Sequence, residues 1–205
     1  MRTDLPPPPD QPPLDDAELA QHLAILVAGS PAVMQVLTEI RALDPPDWRL
    51  FSGAVYQTVW NALTGRDADY GVKDYDVGYF DPDTSWDAED RVIKAVAARF
   101  DSALAAKVEM RNQARVHLWF EQKFGEPYAP LARTDEALTR FVCPAFAVGV
   151  RLEHDDTLTI SAPFGLVDLF TMRLRRNPTR PISDTAFARV TAAAQARWPE
   201  VEIAG

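Results

Sequence analysis

Two carboxylates one residue apart, Asp74 and Asp76 in "KDYDVGYFD" (Lys73 to Asp81), are the residues best placed to do chemistry. Side chains alternate across a strand, so the pair projects to one face about 7 Å apart. Ionised carboxylates at that spacing repel, and burial raises the cost. A divalent cation removes both penalties, and Mg²⁺ or Mn²⁺ suits oxygen ligands completed by water and phosphate. The plainer reading is a pair of strand-end aspartates facing water, and an isolated D-x-D favours it. Asp81 and Asp83 flank Pro82 and read as turn formers.

Two neighbouring features change that balance. Upstream, Ser52-Gly53 joins a predicted strand to a predicted helix, a geometry that aims backbone N–H groups and the positive helix end at an anion. Downstream, Glu109 lies in the predicted strand "AKVEMRNQ" and offers a third carboxylate. By parity Glu109 and Arg111 share a face, while Met110 faces the other way. Glu109 reads equally well as an ion-pair partner for Lys107 or Arg111.

The elements that must position these residues follow from periodicity and punctuation. Asp15 to Ala28 reads as an amphipathic helix with Leu19, Leu23, Leu26 and Val27 on one stripe. Ser30 caps a second helix with Pro31 at its first position and Val33, Val36, Leu37 and Ile40 on its apolar face, stopped by "DPPD". "WRLFSGAVYQTVWNALTG" reads as strand, turn and helix, with Val55, Val59 and Leu63 buried. A strand is expected from Val72 to Phe80, then a capped helix from Thr84 to about Phe100 with Trp86, Val92, Ile93, Val96 and Phe100 on its apolar side. Ala114 to Phe124 reads as helical, and a short helix is expected from Thr134. "AFAVGVRLEHDDTLTISAPF" reads as a hairpin turning at His154-Asp155-Asp156, and 165–175 and 183–198 as closing helices. Alternating strands and helices make the class α/β (α+β), a mixed central sheet flanked by helices with extra N- and C-terminal helices. Residues 1–14, with "DLPPPPDQPP", read as a proline-rich flexible tail, and 15–205 as a single domain.

The order of Ser-Gly turn and helix, D-x-D strand and carboxylate strand resembles the polymerase-β-like nucleotidyltransferase superfamily. More closely, "SGAVYQTVWNALTG", "KDYDVGYFD", "VEMRNQARVHLWF" and "APFGLVDLF" resemble a bacterial family of uncharacterised nucleotidyltransferase-like proteins, over roughly Arg49 to Val201. The resemblance implies that Ser52 and Gly53 hold the phosphates of an NTP, with Gln57 and Arg111 as further nucleotide-binding candidates. It implies that Asp74 and Asp76 bind Mg²⁺ or Mn²⁺, with Glu109 as third carboxylate, helping to bind metal and activating an attacking hydroxyl. The implied reaction moves a nucleoside monophosphate from an NTP to an acceptor hydroxyl on a small molecule or protein, through a two-metal clamp. The chain departs from the pattern in four places: Ser52 where glycine is usual, Tyr56 where many relatives carry a basic residue, Glu109 for aspartate, and Val167 where relatives often have a second acid. Those departures keep a second reading open, a catalytically inactive nucleotide- or protein-binding module. A third is a purely structural domain, in which Asp74 and Asp76 would be salt-bridged to arginines.

Composition narrows the remaining classes. The chain has 205 residues, is 47% hydrophobic and 25% charged, and carries a formal net charge of -9. That charge argues against general nucleic-acid or anionic-membrane binding, which needs clustered Lys and Arg. Cys143 is the one cysteine, no basic-then-apolar leader is visible, and "LAILVAG" is too short to span a bilayer. A cytoplasmic location is expected. Asn112, Gln113 and Arg115 read as residues that satisfy backbone at a strand-to-helix junction, or as contacts to base or phosphate. His117 reads as a hydrogen-bonded core histidine in preference to a catalytic base. Arg173, Arg175, Arg176 and Arg180 read as dipole-favoured cations near a helix C-terminus, with a triphosphate or acceptor contact as the alternative, and Asp168 as a structural acceptor. Trp48, Trp60, Trp119 and Trp198 are candidates for core or cleft wall. No zinc spacing, nucleophile elbow, P-loop or dinucleotide fingerprint is present.

Overall fold

The computed structural model describes residues 15–204. The proline-rich stretch therefore lies outside the described residues. α1 (Asp16–Ala28) opens on a capping box: the Asp15 side chain accepts from the N–H groups of Ala17 and Glu18, both at 2.9 Å, and Glu18 accepts from the Asp15 N–H at 3.0 Å. α2 (Pro31–Leu43) starts at Ser30 and Pro31 and buries all four expected apolar residues. The Ser30 hydroxyl makes no capping bond.

β1 (Arg49–Phe51) leads through Ser52 into α3 (Gly53–Leu63). β2 (Tyr75–Tyr79) is shorter than the expected 72–80, because its ladder begins where Tyr75 meets Val108. Asp74 thus sits just before the strand. α4 (Trp86–Ala97) and the single-turn α5 (Ser102–Ala105) supply the crossover that a parallel pair needs, and β3 (Val108–Asn112) returns beside β2. β4 (Gly149–Leu152) and β5 (Leu158–Ser161) form the expected hairpin. The five strands make one mixed sheet in the order β3-β2-β1-β4-β5, in which only the β2–β3 pair is parallel.

Three expectations are corrected. Ala114 to Phe124 breaks into a 3₁₀ turn (Val116–Leu118) and the short α6 (Phe120–Phe124), ended by Gly125 in the left-handed region at φ 72°. The segment from Gly165 to Arg175 holds only α7 (Val167–Phe170), after which β6 (Arg173–Leu174) pairs in parallel with β7 (Glu202–Ile203) beyond α8 (Asp184–Gln195). Trp86 is 62% exposed instead of buried, its ring lying under the Arg115 guanidinium at 5.4 Å. The short helix expected from Thr134 is a 3₁₀ helix over Thr134–Arg140.

Period-two alternation sorts the sheet residues into two apolar layers. Leu50, Tyr75, Val77, Tyr79 and Val150 join the main core beneath α1, α2 and α3. Phe51 instead joins a smaller cluster with Leu131, Ala137, Leu138 and Ala147. Gly78 faces that second side, where an added Cβ would lie 2.4 Å from the Phe51 ring. Asp76, two residues before Gly78, shares this face. α3 is buried from Ala54 through Asn61, on all sides rather than along one stripe, because it packs on β1, β2, α1 and α7 together.

The polar segment after β3 is structural in large part. Glu89, 4% exposed, accepts from the Asn112 N–H at 2.9 Å and pairs with Arg115 at 3.1 Å. The Asn112 side chain donates to the carbonyls of Asp81 and Asp83 and accepts from the N–H groups of Asp81 and Ala114. Glu89→Gln keeps the shape but removes the charge facing Arg115. It is expected to cost about 2–3 kcal/mol, measured by denaturant unfolding.

Candidate active site

The turn between β1 and α3 is built under strain. Ser52 sits at φ 44°, ψ -98°, held there by its N–H donating to Val148 O at 2.8 Å and its carbonyl accepting from Val55 and Tyr56. A Cβ is disfavoured in this conformation, at a cost of order 1 kcal/mol or more. Ser52→Gly is accordingly expected to stabilise the fold by about 1 kcal/mol, read as a higher midpoint in urea, while Ser52→Val lowers it.

Gly53 begins α3 and faces the acidic strand. A Cβ built there would lie 3.5 Å from Gln57 Nε2 and 3.9 Å from Asp74 Oδ1. The open helix end, Gln57 and Asp74 therefore share one small space. Gln57 is buried and donates to the Tyr56 hydroxyl at 3.3 Å, but its Oε1 is buried with no partner. Buried orphan acceptors are rare and mark a place where a cation, water or ligand donor belongs.

Register places Asp76 directly beside Glu109 across the parallel β2–β3 pair, and Gly78 beside Arg111. Asp76 opens onto a concave cleft yet is hemmed in by protein. Its carboxyl is raised from 3.8 to about 6, by burial first and then by the negative charges of Asp74 and Glu109, with Arg111 opposing them. Glu109 is half exposed and pairs with Arg111 at 3.3 Å, the ordinary alternative for that residue. Among the described residues, no three His, Cys, Asp or Glu side chains converge at metal-ligand distance. Asp74 and Asp76 form no ion pair with arginine among the described residues, unlike the expectation for a purely structural domain.

The donor set nonetheless fits a hard divalent cation. It offers carboxylate oxygens with mutual repulsion and an adjacent unpartnered amide oxygen, the chemistry Mg²⁺ and Mn²⁺ prefer. Asp74 and Asp76 would hold the ion, with Glu109 released from Arg111 as a third oxygen donor.

Other expected residues distribute differently. Gln113 lines the cleft, whereas Asn112 and Arg115 are engaged in backbone and ion-pair contacts away from it. His117 is half-buried and its Nδ1 lacks a hydrogen-bond partner, so it is not the satisfied core histidine expected. Arg175 pairs with Asp168 at 2.7 Å and Arg176 with Asp184 at 2.7 Å, which replaces the helix-dipole account. Trp48, Trp60 and Trp198 are core, and Trp119 lines the cleft.

Two features escaped the sequence reading. Arg197, just after α8, interacts with the Tyr56 hydroxyl and tempers its burial-raised pKa, so a cation 141 positions on from Tyr56 stands beside the turn. Separately, the cleft of about 550 Å³ that holds Asp76 and Glu109 continues to a wall bearing Arg140, Arg180 and Arg189 beside Trp119, Phe120 and Tyr128. Arginine enrichment in an acidic chain was the available signal, but no local spacing connected those residues.

The structure thus sets a strand-to-helix turn, open at the start of α3, next to an acidic strand in a mixed sheet. The family model described as "Nucleotidyltransferase" matches residues 38–203, and the chain belongs to that family. A solved NMR structure described as revealing "a CCA-adding enzyme head domain" is similar over 90% of this chain and 95% of that one, at 23% identity and a TM-score of 0.71. At that identity the likeness shows the fold. No curated protein matches the chain. No described helix is long and apolar enough by itself to cross a membrane.

Proposed function

We propose that this protein is a metal-dependent nucleotidyltransferase that moves a nucleoside monophosphate from an NTP to an acceptor hydroxyl. The observation that carries the reading is the acidic cluster at the start of α3: Asp74 lies beside Gly53, and next to it the Asp76 carboxyl is driven up to about 6 among like charges. A fold tolerates such uncompensated repulsion where a ligand relieves it.

Ser52 and Gly53 orient the triphosphate on the start of α3, and Gln57 donates to a phosphate oxygen from the next turn. Arg111, freed from Glu109, offsets charge on the same nucleotide. A divalent cation held by Asp74 and Asp76 would neutralise charge on the phosphates. The acceptor oxygen forms a bond to the α-phosphorus as the bond from that phosphorus to the bridging oxygen breaks. Pyrophosphate leaves with the electron pair, and the hydroxyl proton passes to Glu109. Positioning and charge neutralisation supply most of the rate.

A second reading is nucleotide binding without turnover. The Glu109–Arg111 pair favours it, since that contact occupies the third carboxylate.

Calorimetry with each NTP, with and without Mg²⁺ or Mn²⁺, tests the proposal. Metal-dependent binding of at least one NTP, lost in Asp74→Asn, is expected. Pyrophosphate release on adding acceptor extracts then separates the enzyme from the binding module. Nucleotide binding that ignores both metal and Asp74→Asn would sink the metal-dependent reading.

A further inference from the structure

The cleft has two chemically distinct halves. Asp76 and Glu109 line one end, where the nucleotide phosphates of the proposed reaction belong. The other end, formed by residues from the 134–140 turn and from the segment 180–189, has the opposite charge.

In that far half Arg140 is half-buried, with its guanidinium 5.5 Å from the Tyr128 ring. Its Nε is buried without a hydrogen-bond partner, and Arg140 forms no ion pair among the described residues. Arg180 faces the same tyrosine; Glu126 balances it at 3.3 Å, and its Nε is likewise unpartnered. Arg189 adds a third guanidinium with no ion-pair partner among the described residues. Three guanidiniums against one carboxylate leave a local positive excess in a chain of net charge -9. Holding partly desolvated guanidinium donors unpaired is costly, and planar oxyanions match their fork bidentately.

The remaining wall is aromatic. Phe120 packs against Tyr128 at 4.5 Å and against Phe124 at 4.7 Å, and Phe124 is 50% exposed. A flat apolar surface flanking a guanidinium pair suits a ring.

We propose that this far half is the acceptor subsite, and that the acceptor is a small molecule bearing a carboxylate or phosphate on an aromatic or otherwise planar apolar body. This rests on the nucleotidyl-transfer reading for its role, though the oxyanion site stands on its own geometry. Arg140 and Arg180 bind the oxyanion and the aromatic wall receives the ring. An acceptor hydroxyl at the opposite end of the ligand then points toward Glu109.

Calorimetry with benzoate and phenyl phosphate as probes, and phenol and inorganic phosphate as controls, tests the site. At least one aryl oxyanion should bind about tenfold more tightly than either control, and Arg140→Gln should remove most of that margin. The benzoate and phenyl phosphate arms distinguish a carboxylate from a phosphate ligand. Arg180→Gln should weaken the same probe, and unchanged melting temperatures guard against misfolding. Asp74→Asn should abolish Mn²⁺–ATP binding while leaving probe affinity within about twofold, since Asp74 does not line the cleft that holds Arg140 and Arg180. No preference for the aryl oxyanions over phenol, no response to Arg140→Gln, or exclusion of the probe by saturating Mn²⁺–ATP would each overturn the acceptor subsite. Probe binding that persists in a protein unable to bind any NTP would instead count against nucleotidyl transfer and leave the oxyanion site intact.

Discussion

Asp76→Asn is expected to abolish metal-dependent nucleotide binding and lower nucleotidyl transfer by at least about 10³-fold, while making the metal-free protein more stable. Both effects come from one charge. In the folded chain the Asp76 carboxyl is raised from 3.8 to about 6, by burial first and then by Asp74 and Glu109. A raised carboxyl means that the folded state binds more protons than the unfolded chain between about pH 4 and pH 6. Its stabilising contribution is complete below pH 3.8 and is lost as pH rises through about 6. At pH 7 the ionised group therefore opposes folding. Asp76 is solvent-accessible, so screening reduces the penalty to about 1 kcal/mol, or roughly 2–4 °C in melting temperature for a chain of this length. The variant should melt above wild type at pH 7.5, and the two should converge near pH 4. Mn²⁺ should raise the wild-type midpoint and leave the variant unmoved. A variant that melts below wild type at pH 7.5 would show that Asp76 is not held against repulsion.

Trp198→Ala should produce the largest loss of stability, about 3–5 kcal/mol, seen as a fall of roughly 10 °C or more in melting temperature. Trp198, just beyond α8, is fully buried and packs edge-on to Trp60 at 5.4 Å and to Tyr70 at 5.8 Å. Its indole N–H donates to Asn61 Oδ1 at 3.0 Å, while the Asn61 amide donates to the carbonyls of Ala68 and Tyr70. Truncation opens a cavity and also leaves a buried amide oxygen unpaired. Trp198→Phe separates the two contributions: it restores most of the volume and should retain only the hydrogen-bond part, about 1–3 kcal/mol. The substitution also reaches the candidate site. Trp198 packs against Tyr56 at 6.3 Å and carries Arg197 over its ring at 4.7 Å, so its loss frees the cation beside the turn. Weaker nucleotide binding than the stability loss alone accounts for is the expected signature, measured well below the melting temperature.

Cys143, by contrast, is inert: it is buried, and burial pushes its thiol up to about 12. Neither a redox nor a nucleophilic role attaches to it.

The Asp74–Asp76 spacing, the Ser52-Gly53 turn and the strand bearing Glu109 were legible in the sequence because each is local. Alternation reads over a few residues, a small pair between strand and helix reads over two, and a helix start such as Ser30-Pro31 likewise. The apolar stripe of α2 and the hairpin of β4 and β5 were legible for the same reason. Where local signals were weak, the elements broke up: 114–124 and 165–175 lack a sustained helical stripe and folded as short turns around tertiary contacts. The face that Trp86 takes was set by Arg115, a partner 29 positions on that no helical period could reveal.

Only tertiary structure decided what surrounds the two aspartates. Register put Glu109 beside Asp76 and gave it Arg111 as a partner, a choice that strand parity left open. Chain closure brought Arg197 to Tyr56 and joined Arg140 to Arg180 on one wall, because such pairings depend on how distant segments pack and not on spacing along the chain. Asp76 of the carboxylate pair thus lines, with Glu109, one part of a cleft whose other wall is basic and aromatic. The sequence by itself determined the acidic end. The basic end exists only once the chain has folded.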